Sequence, residues 1–200
     1  MRANDEPRSF TEQGRRAQIV RAAIDVIVER GYPSTSFGRI AERAGLSSTG
    51  MISYHFRGKD DLMDQVVTDI YAEAAELVGG RIDAEQTARG QLLAFVEASV
   101  AYYRTHHRHV RALTEITLGR RGDDRSGPRD RELADLAELL RAGQRTGEFR
   151  DFDPDVMAVT VRHALDGVAL RLGEDIDRDP ETWSRELVTT VDRATREDPT

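Results

Sequence analysis

The chain contains no cysteine, which removes disulfides, thiolate metal sites and cysteine nucleophiles together and fits a reducing compartment. Lysine is almost as scarce, because Lys59 is the single lysine among 29 basic residues and the cationic surface is otherwise arginine. No stretch approaches membrane-spanning length without interruption by charge, and the opening residues Met1 to Pro7 lack the apolar core of a secretory signal. The expectation is an unexported, cytoplasmic protein with no membrane association. Runs of alternating β-branched residues are missing as well, so a sheet has little to build on. Apolar positions instead recur at three and four, punctuated by Gly and Pro, which predicts an all-α chain of about nine helices.

The net charge of −7 is unevenly spread: residues 1 to 60 hold ten Lys/Arg against seven Asp/Glu, and residues 61 to 200 hold nineteen against twenty-nine. A mildly basic head on an acidic body suits a polyanion at one end only. The pattern predicts two domains, 1–58 and 59–200.

Helix signals can be read in order. Ser9 and Glu12 have capping-box spacing ahead of a first helix near 11–30, with Val20, Ala23, Ile24, Ile27 and Val28 on one face and Gly31 as the stop. Thr35 or Ser36 caps a second, short helix bearing Phe37, Ile40, Ala41 and Ala44. Gly45 followed by Leu46 has the form of a Schellman ending. Ser47 and Ser48 offer caps for a third short helix through Phe56. A longer helix from Lys59 is expected to stop at Gly79-Gly80. Asp83 with Gln86 opens another to about Arg104, and Val110–Leu118 continue with a shorter one. Residues 120–130 read as a charged loop, Leu133 to Leu140 as a helix closed by Gly147. Asp153-Pro154-Asp155 and Asp179-Pro180-Glu181 start the last two helices with the same cap, proline and acid.

Two short helices joined by a Gly-containing turn and braced by a preceding helix form a helix-turn-helix, which sets its second helix into a major groove of DNA. Ile40, Ala41, Ala44, Ile52 and Phe56 fit its small core, leaving Ser48, Thr49, Gly50, Ser53, Tyr54 and His55 to face outward. Small hydroxyl side chains allow close approach to base edges, and Tyr54 and His55 can reach the phosphate backbone. Lys59 begins a helix whose amide donors already favour an anion.

Gly31-Tyr32, Thr35-Ser36, Ile40-Ala41, Ala44-Gly45-Leu46-Ser47, Gly50, His55, Phe56, Lys59 and Leu62 resemble the amino-terminal signature of the TetR family of regulators, over roughly residues 15 to 65. The resemblance implies DNA binding by the third helix, phosphate contacts from Thr35, Tyr54, His55 and Lys59, and homodimerisation by the last two helices, 155–173 and 181–193; Ser36 is a further candidate for contact with DNA. It implies a repressor released from a palindromic operator by a small-molecule inducer held among the middle helices. Phe95, Tyr102, Tyr103, Leu113, Ile116, Met157 and His163 are the residues expected to line that site. The segment Leu46 to Met51 is one residue longer than the family's turn, and Ser53 stands where the family commonly has tyrosine.

No nucleophile-base grouping, phosphate loop or spaced metal motif is present, so neither an enzyme nor a bound cofactor or metal is expected. His106, His107 and His109 invite a metal reading, yet only His106 and His109 can share a helix face and no carboxylate lies within a turn of them. The competing readings are a small helical metal-binding enzyme built on those histidines, with Glu115, and an interaction module without DNA binding.

Overall fold

The computed structural model describes residues 10–120, 127–174 and 179–197. Nine helices stand among them: α1 Phe10–Arg30, α2 Phe37–Arg43, α3 Gly50–His55, α4 Lys59–Ile82, α5 Ala88–Thr105, α6 His107–Gly119, α7 Pro128–Arg145, α8 Pro154–Glu174 and α9 Pro180–Thr195. One isolated antiparallel bridge, Phe149 with Arg196, is the only extended pairing among the described residues. The all-α expectation is therefore met.

The chain divides into two compact units, one holding the described residues up to Val67 with 115–120, the other 68–114 with the remainder. The boundary expected at 58 falls inside the first unit, which keeps the opening turns of α4 and also takes the end of α6. In that first unit Ile19, Ala23 and Ile27 of α1, Ile40 of α2, Ile52 of α3, Phe56, and Leu62, Met63 and Val66 of α4 are buried. At about 1.5–3 kcal/mol for each large apolar side chain removed from water, this small core supplies the driving force that helices as short as α2 and α3 cannot supply alone. In the second unit α5 packs against α7, α8 and α9, and α7 packs against α8. Leu92, Val96, Leu140, Ala158 and Leu165 lie at the centre of its apolar cluster.

Several expected boundaries move, each for a local reason. Ser9, half of the proposed capping box, lies outside the described residues, as does most of the loop expected at 120–130. α4 does not stop at Gly79-Gly80 but runs on to Ile82, since a glycine pair weakens a helix by about 1 kcal/mol per residue without ending it. The helix expected from Asp83 begins only at Ala88: Thr87 is the cap, its Oγ1 accepting from Gly90 N at 3.0 Å. The carboxylate of Glu148 accepts from Ala88 N and Arg89 N as well, at 3.3 and 3.0 Å, placing an anion against the positive end of α5. α6 starts at His107 and α7 at Pro128, both earlier than the apolar spacing suggested. The two Asp-Pro starts hold: Asp153 Oδ1 accepts from Asp155 N and Val156 N, and Asp179 Oδ1 accepts from Glu181 N.

Candidate nucleic-acid interface

α2 opens on Ser36, whose extended backbone lets its hydroxyl accept from Arg39 N at 3.5 Å. It closes as the sequence predicts. Gly45 takes φ +64, Leu46 N donates to Ala41 O at 2.8 Å and Gly45 N donates to Glu42 O at 3.1 Å, which is the paired Schellman arrangement. Gln18 of α1 donates to Ala44 O at 2.7 Å, bracing the same corner. The next helix departs from expectation. Ser47 and Ser48 do not cap it; Ser47 Oγ lies 3.9 Å from Met51 Sδ, and α3 begins at Gly50 with Thr49 in helical conformation before it and no side-chain cap. Residues 47–49, between the two helices, are exposed.

Ile52 and Phe56 are fully buried, which fixes the rotation of α3 about its own axis. Ser48, Thr49, Gly50, Ser53 and Tyr54 are all exposed. Tyr54 is 78% exposed, a large aromatic face offered to solvent, and its ring meets that of His55 edge-on at 5.0 Å. Ser53 Oγ donates back to Thr49 O at 3.3 Å, leaving its lone pairs outward. The surface so formed carries hydroxyl donors and acceptors, a phenol and an imidazole on a head of net positive charge, the groups needed to meet base edges and phosphates.

Two of the expected contacts are placed otherwise. Thr35 is 3% exposed and its hydroxyl donates to Gly31 O at 3.0 Å, so it closes the turn after α1 and does not face outward. Lys59 is half-buried: Nζ donates to Tyr32 O at 2.8 Å and sits 4.0 Å from the Tyr32 ring centre. Burial holds its ammonium below the ordinary lysine value, with Asp60 opposing and Arg120 reinforcing the shift. Lys59 is thus a strut for Tyr32 as much as a charge at the start of α4. The Tyr32 turn receives further partners that sequence spacing gave no means of finding. Glu115 accepts from Tyr32 N at 3.2 Å, and Arg120, paired with Asp64 at 2.6 Å, also bonds the Tyr32 side chain.

In the second unit Phe95, Tyr102 and Tyr103 are buried, at 5–8% exposure, and Leu113 and Met157 are half-buried. Ile116 is buried in the first unit instead, and His163 lies on the exposed side of α8, its Nδ1 2.8 Å from Val159 O. Tyr103 hydroxyl accepts from Arg162 Nη1 at 3.0 Å, and burial pushes it up to about 12. Tyr102 stacks on His106 at 4.3 Å; burial, then Glu73, raises its hydroxyl well above the ordinary value. Glu73 of α4 also stands 2.8 Å from His109 Nδ1, supplying the carboxylate that the neighbouring sequence lacks. Among the described residues no group of three His, Cys, Asp or Glu side chains is placed to hold a metal ion.

Residues 19–66, from the middle of α1 into the opening turns of α4, match the family model of bacterial regulatory proteins, tetR family. The regulator BetI of Cronobacter sakazakii is 30% identical over 163 residues, covering 78% of this chain and 78% of that protein. The chain belongs to the tetR family. The transcriptional repressor KstR2 of Rhodococcus jostii is 27% identical over 156 residues, 72% of each chain. A TetR-family transcriptional regulator from a Rhodococcus species superposes with a TM-score of 0.79 at 23% identity, over 90% of this chain and 98% of that one, a likeness of fold. The chain spans about half the length of the curated relatives it matches first. In tetR-family terms, α2, the turn and α3 are the helix-turn-helix, and the match extends through both of its short helices.

Proposed function

We propose that this tetR-family chain is a ligand-responsive, DNA-binding transcriptional regulator, a repressor that leaves a palindromic operator when a small molecule binds. The observation that carries the reading is the outward face of α3: Ser48, Thr49, Gly50, Ser53 and Tyr54 exposed together above a core plugged by Ile52 and Phe56. Such a helix end presents short polar side chains to a groove and a longer one to its phosphate wall. His55, Ser36 and the start of α4 at Lys59 supply flanking contacts.

Homodimerisation through α8 and α9 is supported by the outer face of α8, where Val156, Val159 and Leu170 are 64%, 42% and 47% exposed at helical spacing. Two copies joined there form a four-helix interface about a twofold axis, matching the symmetry of a palindrome. The inducer belongs to the second unit, whose interior mixes Phe95, Tyr102, Tyr103, Leu113 and Met157 with buried polar groups of Ser99 and Arg162. Bound inducer favours a spacing of the two DNA-reading heads that no longer fits successive major grooves. The protein acts in the cytoplasm without catalysing a reaction, and no described helix is long and apolar enough to cross a membrane.

Footprinting on the DNA flanking its own gene, with the solution mass measured by light scattering, tests the reading. The expected result is a dimer protecting a palindrome across two adjacent major grooves. A monomer, or protection indifferent to sequence, overturns it.

A further inference from the structure

α3 is six residues long, too short to hold its own geometry, so its direction is set by what grips it. Ile52 and Phe56 fix its rotation, but they leave its tilt open, and its first turn has no side-chain cap. The grip is at the other end. Arg16 of α1 donates from Nη1 to His55 O, the last carbonyl of α3, at 2.6 Å, and from Nη2 to Gln65 Oε1 of α4, also at 2.6 Å. Its guanidinium carbon lies 4.2 Å from the centre of the Phe56 ring. One side chain therefore touches the end of α3, the residue that follows it, and the helix beyond. A cation there also complements the negative end of α3. Only a planar fork can serve two diverging acceptors while lying over an aromatic face; an ammonium on a flexible stem serves one at a time.

We propose that Arg16 is the positioning residue of DNA recognition: it sets the tilt of α3 between α1 and α4, so that Tyr54 and His55 meet the DNA in register with Ser48 and Thr49. The proposal rests on the DNA-reading function above. Arg16 itself faces inward to its partners and reads no base.

The test uses the full-length protein, the operator found by footprinting and a scrambled duplex, at a temperature well below unfolding. Arg16→Met keeps the stem over Phe56 and removes both hydrogen bonds. It is expected to raise Kd for the operator about tenfold while changing Kd for scrambled DNA less than about twofold, since non-specific binding needs charge and not register. Arg16→Lys is expected to recover part of the loss, and it carries the test alone if Arg16→Met does not fold. Combined with Tyr54→Ala, the loss is expected to be smaller than the product of the two single losses, because Tyr54 contributes fully only on a correctly tilted helix. A merely structural Arg16 would lower the unfolding temperature, leave Kd of the folded protein unchanged and multiply independently with Tyr54→Ala; that pattern overturns the proposal. Wild-type protein without operator preference overturns the DNA-reading function itself. Wild-type preference retained undiminished by Arg16→Met overturns only the role of Arg16.

Discussion

Replacing Arg162 by Met is expected to unfold the second unit more readily, and increasingly so as pH rises. The side chain of Arg162 is 9% exposed on α8. Its Nε lies 2.8 Å from Glu132 Oε2, and its Nη1 lies 3.1 Å from Asp166 Oδ1 and 3.0 Å from the Tyr103 hydroxyl. Removing one partner of a buried ion pair costs about 3–5 kcal/mol. The lower end applies here, because Glu132 and Asp166 keep 28% and 34% exposure and Asp166 retains Arg129. A loss of about 3 kcal/mol corresponds to a fall in unfolding temperature of about 6–12 °C for a chain of this length. The pH dependence follows from Glu132, whose carboxyl is already raised above its ordinary value by burial, against the pull of Arg162 and Arg129. Without Arg162 it rises further. A carboxyl raised in the native state favours folding while protonated, below its unfolded pKa, and that advantage is lost as pH climbs through the folded value. The deficit of Arg162→Met in urea unfolding, followed by circular dichroism, should therefore be larger at about pH 8 than at about pH 5. Adding Glu132→Gln should recover part of it at the higher pH. A deficit below about 1 kcal/mol at both pH values, or one that shrinks as pH rises, refutes the reasoning.

Thr35→Val should cost about 1 kcal/mol of stability through the lost bond to Gly31 O, with operator affinity of the folded protein unchanged; urea titration and anisotropy separate the two. Gly143→Ala drives a Cβ into the Phe149 ring and sets it 3.1 Å from Ala88 Cβ, inside a packed helix junction, and should destabilise by about 1–3 kcal/mol in thermal unfolding. The Glu148 carboxyl is held below its ordinary value of 4.5, chiefly by the backbone N–H of Arg89, against the opposing effect of burial. A lowered carboxyl contributes stability above its unfolded value that is lost as pH falls, so Glu148→Gln should flatten the acid limb of the stability curve below about pH 4.5.

The helical class, the Schellman corner at Gly45 and the Asp-Pro starts of α8 and α9 were readable because each is a local rule: a period, a cap, a positive φ. So was the face of α3 that points outward, since burial of Ile52 and Phe56 follows from their spacing. What escaped were contacts between residues far apart in the chain. Thr35 looks like a free hydroxyl until Gly31 O is found beneath it, and Lys59 looks like a surface cation until Tyr32 folds under it. Glu73 reaches His109 only because α4 and α6 meet, and Arg16 lies 39 residues from the carbonyl it grips. Periodicity places a residue on a face but says nothing about which distant partner occupies that face. α5 shows the same limit: Asp83 and Gln86 satisfy a capping rule, yet Thr87 with the distant carboxylate of Glu148 sets the start.

The most direct test of DNA recognition by α3 is fluorescence anisotropy of the full chain against the DNA flanking its own gene, with a scrambled duplex as control, at ~50 and ~200 mM salt. The expected result is tight binding that prefers the native sequence, weakens steeply with salt, and loses that preference in Ser48→Ala and Thr49→Ala. Equal affinity for native and scrambled DNA at both salt concentrations would contradict it.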